Sequence, residues 1–165
     1  GRAAGGRKQT EGEIFMAIRN VVQVGVVTLR KVSFPVEEFD EKLHTLLDDM
    51  KDTVKREEGA GLAAPQVGVL RRAVVVDVEE GFFEFVNPRI LSQKGEQRGW
   101  EGCLSVRGKR GVVSRPMKVK IAYQDRYGNP QTLQAKGFFA RAICHELDHL
   151  DGVLYIDKAE VVERD

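Results

Sequence analysis

The chain has 165 residues, with 26 basic against 25 acidic side chains, a length that fits one domain with a proper core. A formal net charge of +1 sets up no strong field for nucleic acid or a membrane surface, and no apolar run is long enough to read as a membrane span. Two cysteines, Cys103 and Cys144, are too few for a secreted disulfide framework; a working thiol in a reducing cytoplasm is the expectation.

Residues 1–15, "GRAAGGRKQTEGEIF", are Gly-rich and polar, without hydrophobic periodicity or the apolar core of a secretory signal. They read as a disordered leader or expression tag, with Met16 opening a single domain over 16–165; an extended natural N-terminus is the alternative. Residues 18–32 mix Val, Ile and Leu without helical period and suggest extended chain. Phe39, Leu43, Leu46, Leu47, Met50 and Val54 then recur at spacings of three and four, predicting an amphipathic helix over 36–57 between Pro35 and Gly59. His44 lies beside that stripe and reads as a solvated surface histidine. "GAGLAAPQVG" at 59–68 is a loop of small residues. Strands are expected at 73–78, 82–91, 117–124 and 131–135, the third with Val119, Ile121 and Tyr123 on one face. Gly137 opens a second helix, "FFARAICHELDHL", which Gly152 closes. Helix, strands, helix in this order implies an α+β fold with antiparallel pairing.

The second helix carries the chemistry. His145 and His149 are four apart and share a face, so both imidazoles can reach one ion. Glu146 lies about 100° round from His145, where it can lean over a bound water as a general base without being a ligand. Phe138, Phe139, Ala142, Ile143, Leu147 and Leu150 surround this polar group, a costly arrangement without a metal or ion partners. A helix whose His and Glu make only structural hydrogen bonds is the alternative.

The missing third ligand separates the families that use this signature. One protease class needs a histidine where this chain has Tyr155. Another needs a glutamate from a later helix, and Glu160 and Glu163 sit in a tail too short to build one. The search therefore turns upstream, to His44, Cys103 and Cys144. Cys144 points to another side of the helix from His145 and reads as a small buried hydrophobe. Cys103, in "WEGCLSVRG", is the preferred donor, since one thiolate with two imidazoles leaves a fourth position for water. An inert buried thiol stands as its alternative.

"GAGLAAPQ" (59–66), "EGCLS" (101–105) and "HELDH" (145–149), in this order, resemble the three signature motifs of the peptide deformylase family, and the resemblance covers the chain from Met16 onward. It implies antiparallel sheets packed around a central HExxH helix, with a second amphipathic helix near the N-terminus. It implies a hydrolase that removes the formyl group from the N-terminal formylmethionine of newly synthesised proteins in the bacterial cytoplasm. The implied metal set is Cys103, His145 and His149. Fe2+ is the expected ion in the cell, and Zn2+ or Ni2+ in purified protein; iron follows from the family alone, since ligand softness favours zinc. On this resemblance a metal-bound water would attack the formyl carbon, Glu146 would take its proton and return it to the departing amine, and Gln66 with the Leu104 N–H would donate to the oxyanion.

The resemblance also sets out a substrate side. Gly59 and Gly61 let a peptide backbone pair as an added strand. Gly102 and Glu101 flank the thiol, and Glu101 resembles half of an ion pair with Arg115 that fixes the loop. Arg110 resembles a basic contact to the substrate backbone. Leu62, Phe138 and Ala142 are candidates for an apolar methionine pocket, with plain core as the alternative. The implied partners are the nascent formylated polypeptide and a transient ribosome contact, with neither nucleic acid nor membrane. The chain departs from the family at Arg107, where proline is common, and at "GVVTLR" (25–30). The tail after His149 is also short; some members carry a longer C-terminal helix that docks on the ribosome, and that helix contact is not carried over. An HExxH endopeptidase and a silent metal-stabilised domain are the rival readings.

Overall fold

A computed structural model describes residues 18–165; the expected leader over 1–15 lies outside them, as does Met16. The extended chain predicted for 18–32 joins no sheet and contains a short 3-10 turn, Val27–Arg30. The first helix, α1 (Glu41–Arg56), begins later than its apolar period suggests, because Asp40 caps it: its Oδ1 accepts the Leu43 N–H at 3.1 Å. Val36, inside the predicted helix, is buried all the same. Asn87 pins it from both sides, accepting its N–H at 2.8 Å and donating to its carbonyl at 2.9 Å.

The remaining elements are β1 (Gly61–Ala63), a 3-10 turn (Ala64–Val67), β2 (Ala73–Val78), β3 (Gly81–Lys94), β4 (Gln97–Cys103), β5 (Val106–Arg115), β6 (Lys118–Gln124), β7 (Pro130–Lys136), α2 (Gly137–Leu150), a 3-10 turn (Tyr155–Asp157) and β8 (Val161–Arg164). They form two sheets, β1-β2-β3-β6-β7 and β4-β5-β8, and every ladder between these strands is antiparallel. The expected α+β architecture holds. The strands of the second sheet, β4, β5 and β8, are what the residue pattern did not announce; β8 occupies the tail read as too short for a further helix.

The larger sheet is covered on both faces. Val74 and Val76 join Phe85, Ile121 and the α2 residues Phe139, Ile143, Leu147 and Leu150 in one core. Ala73 and Val75 turn the other way, onto Leu43, Leu47, Met50 and Val54 of α1. "AVVVDV" therefore reads as a continuous apolar run instead of an alternating one: β2 is buried on both sides. The smaller sheet packs through Val106 and Val113 onto Tyr155, which stacks on the ring of His145. Thus α2 lies between the two sheets, with nearly all of its residues buried.

Gly152 closes α2 in the left-handed conformation, φ +76°, its N–H reaching the His149 carbonyl at 3.2 Å. A Cβ there would stand 2.5 Å from the Arg30 carbonyl oxygen. Gly152→Ala should therefore cost more than the roughly 1–2 kcal/mol of left-handed strain alone. Urea unfolding of variant and parent checks this; equal midpoints would contradict it.

Candidate metal centre and cleft

Cys103 ends β4, in the smaller sheet, while His145 and His149 stand on α2. The two sheets meet so that the donor atoms of these three residues all lie within 4.8 Å of one another. Cys103 Sγ is 3.4 Å from His149 Nε2, and the Ser105 N–H points at the same sulfur, also at 3.4 Å. His145 Nδ1 meets Glu101 Oε1 at 2.9 Å, which leaves Nε2 for the cluster. A soft thiolate and two imidazoles converging from fixed elements fit a single divalent transition-metal ion. Burial pulls the His145 pKa down, but the Cys103 thiol and the Glu101 carboxylate outweigh it and hold it at about 10. Burial, with the His145 charge beside it, drives His149 well below the ordinary histidine value.

Glu101 is the hub behind this cluster. Arg115 grips its carboxylate with two bonds, Nε to Oε2 at 2.8 Å and Nη2 to Oε1 at 2.9 Å, and Arg141 adds Nη1 to Oε2 at 2.7 Å. Arg115 also reaches Asp148 on α2 at 2.7 Å, and Lys158 meets the same carboxylate at 3.0 Å. The ion pair expected between Glu101 and Arg115 is therefore present, inside a larger network.

Glu146 leans out of α2 against β1. Burial is the main cause that lifts its pKa, to about 7; the His145 and Arg115 charges counter it, and Glu101 and Asp148 add to it. Its Oε1 has no hydrogen-bond partner among the described residues. Gly61 is what admits the carboxylate, since a Cβ there would lie 2.7 Å from Glu146 Oε2. Gln66 is oriented from behind: its Oε1 accepts the Ala63 N–H at 2.9 Å, so its Nε2 donates forward, to Ser105 Oγ at 3.0 Å and toward Cys103 Sγ at 3.7 Å. One end of this amide thus caps the loop while the other faces the site.

A cleft of about 400 Å³ opens over the cluster. Gly59, Gly61, Gln66, Glu101, Gly102, Cys103, Leu104, Phe138, Ala142, His145 and Glu146, all singled out in the sequence, line it. Two others do not. Leu62 is wholly buried in the α1 core; on β1 it points opposite to Gly61 and Ala63, so it cannot belong to a methionine pocket. Arg110 is directly opposite Glu163 across the β5–β8 ladder, bonds it at 2.8 Å, and lies 4.1 Å over the Trp100 ring, so it faces these partners and not the cleft. Arg107, the departure from the family pattern, lines the rim of the cleft; Trp100, Lys109 and Arg141 line it without having been assigned to it, and only the proximity of Lys109 to "EGCLS" could have suggested one of them. His44 is far from free solvent exposure: its Nε2 meets the Arg126 carbonyl at 2.9 Å, and it plays no part in the cluster. Cys144 is a core thiol, its pKa pushed up by burial to about 11.

The polypeptide deformylase family model matches residues 18–165. A peptide deformylase of Caldicellulosiruptor bescii is 54% identical, over 87% of this chain and 86% of its own length. Among solved structures, a peptide deformylase from Legionella pneumophila superposes with a TM-score of 0.84 at 42% identity, covering 87% of this chain and 86% of that one. One from Synechococcus elongatus, in complex with actinonin, superposes with a TM-score of 0.83 at 37% identity, covering 86% and 80%.

Substituting Gly61 by alanine should push the Glu146 carboxylate out of its place while the chain still folds, because the overlap is with one side-chain end. A crystal structure of the variant checks this, and an unmoved carboxylate would refute it.

Proposed function

The chain belongs to the polypeptide deformylase family, an enzyme family that deformylates N-formylmethionine peptides with a metal, and on that premise we propose that Cys103, His145 and His149 hold the ion while Glu146 moves the proton. The observation that carries this reading is the convergence of three donors within 4.8 Å beside a buried carboxylate that lacks a partner for one oxygen. A divalent ion bound there would acidify water to give a nucleophile near neutral pH and polarise the formyl oxygen.

The chain's own groups do the rest. Glu146, raised by burial to about 7, accepts a proton as attack on the formyl carbon begins, then delivers it to the departing amine. Gln66 Nε2, aimed by the bond at its other end, and the Leu104 N–H donate to the oxygen that gathers negative charge. Gly59, Gly61 and Gly102 leave the walls bare enough for a peptide backbone to lie between β1 and β4. Phe138 and Ala142 offer the methionine side chain an apolar wall, and Trp100 adds aromatic surface further along. Glu101 serves this site through His145 and not through the substrate.

Ferrous iron is the resident ion in this reading, with zinc or nickel as replacements in purified protein. The reaction belongs to the cytoplasm, where formylated chains emerge, and a transient ribosome contact goes with such a substrate. No helix among the described residues is long and apolar enough to cross a membrane.

Glu146→Gln should lower kcat on a formyl-Met peptide by about 10²–10⁴-fold while one equivalent of metal stays bound. Full turnover by that variant would remove Glu146 from the proton path. Anaerobic loading with iron, nickel and zinc, followed by turnover of the same peptide, should rank iron well above zinc; chelation should abolish activity in all three. Equal rates across the ions would overturn the assignment of iron.

A further inference from the structure

We propose that Arg141 is a positioning residue that holds the thiol-bearing strand β4 against the histidine-bearing helix α2 at the separation one ion requires. The proposal rests on the metal set Cys103, His145 and His149. Two of those donors stand on α2 and the third on β4, which belongs to the other sheet. No covalent link sets that gap, yet ligand distances at an ion tolerate only about ±0.2 Å. Something must therefore fix β4 on α2.

Arg141 does so by geometry. It precedes His145 by one helical turn and is 5% exposed. Its Nη1 donates to Glu101 Oε2 at 2.7 Å, to the Val113 carbonyl at 3.0 Å and to the Gly99 carbonyl at 3.5 Å; Nη2 reaches the Gln97 carbonyl at 3.4 Å. One planar fork from α2 thus touches β4 at alternate residues 97, 99 and 101, and β5 at 113. β4 has a glycine where the fork crosses it: a Cβ on Gly99 would stand 3.3 Å from Arg141 Nη2. On the far side of His145, Arg115 of β5 reaches Asp148 of α2 at 2.7 Å. The two ties bracket the histidine, one turn before it and about one turn after.

A simpler role would be to neutralise Glu101. Arg115 already does that with two bonds, and neutralisation needs no contact with three backbone carbonyls. A lysine would supply the charge but not the fork.

The test is a Co2+ titration of metal-free protein under anaerobic, reducing conditions. It reads Kd by chelator competition and the thiolate-to-cobalt charge-transfer band as a report on Cys103. Wild type should bind one equivalent and show the band. Arg141→Met should bind about 10–100-fold more weakly, with the band shifted or weakened, and Arg141→Lys should fall between. A purely structural role would lower the unfolding midpoint of Arg141→Met and leave Kd and band at wild-type values, which would overturn the proposal. If Arg141→Met does not fold, Arg141→Lys decides: wild-type Kd and band overturn the proposal, and weaker binding with an altered band upholds it. A wild type that binds cobalt without the band overturns the metal set itself, and this inference with it.

Discussion

Everything at this site depends on one buried carboxylate. Glu101 is taken out of water between a helix and a sheet, where an unpaired charge would be prohibitive. Burial pushes its pKa up, yet the bonds from Arg115 and then from His145 outweigh that and hold it well below the usual carboxylate range. Each oxygen accepts two donors: His145 and Arg115 at Oε1, Arg115 and Arg141 at Oε2. Losing Arg115, its two-bond partner, removes the main compensation for a charge held in the interior, a loss of about 3–5 kcal/mol. The same arrangement orients His145: Nδ1 donates to Glu101, so an ion that replaces the proton on Nε2 would meet a lone pair aimed at the cluster. Stability and ligand geometry are thus one constraint here.

That constraint explains why so much of the molecule is organised around α2. The larger sheet supplies an apolar bed for one side of the helix, through Val74, Val76, Phe85 and Ile121. The smaller sheet faces it mainly with charge and hydrogen bonds, and its own apolar cluster is limited to Val106, Val113 and Tyr155 with a few half-buried neighbours. One side of α2 is held by area and the other by directed bonds. The directed side carries Cys103, where position matters to a fraction of an ångström. The apolar side carries residues such as Ile143 and Leu147, which need only fill space.

The three motifs were legible because each concentrates chemistry into a few residues: the HExxH spacing, a thiol between glycine and leucine, and a glycine-rich loop ending in an amide. α1 and α2 were legible from their period, β2 from composition and β6 from its alternation. The β4-β5-β8 sheet was not, since "QRGWEGCLSVRGKRGVVSR" has few apolar residues and no sustained alternation. Its order comes from the β5–β8 ladder, from Val106 and Val113 packed on Tyr155, and from the buried bonds of Arg115 and Arg141 to Glu101; Arg110 and Glu163, which meet across that ladder, are 53 residues apart. Local pattern cannot reveal contacts at that range, and the misassignment of Arg110 followed from missing β8. Leu62 failed differently. Once the three residues 61–63 are known to be a strand, period two sends Leu62 away from Gly61 and hence away from the site. The start of α1 was displaced because Pro35 was read as its opening, whereas the helix begins only after Asp40, whose side chain caps it.

Glu146 shows why the loop before β2 consists of small residues. The substrate argument for Gly61 asks only for an open wall. The structure adds a stricter demand from within, since the carboxylate of α2 occupies the volume a Cβ would need. Pressed against bare backbone, Glu146 loses solvent without gaining a donor for Oε1. That is the condition that lifts a carboxylate into the range where it can both take and return a proton near neutrality. An arginine or amide within reach would stabilise the charged form and spoil the exchange. Gln66, the nearest amide of the motif, is turned toward Cys103 and Ser105 because Ala63 holds its other end. One short segment therefore both strips Glu146 of partners and directs the donor of Gln66 elsewhere, so the spacing between Gly61 and Gln66 works as a unit with α2.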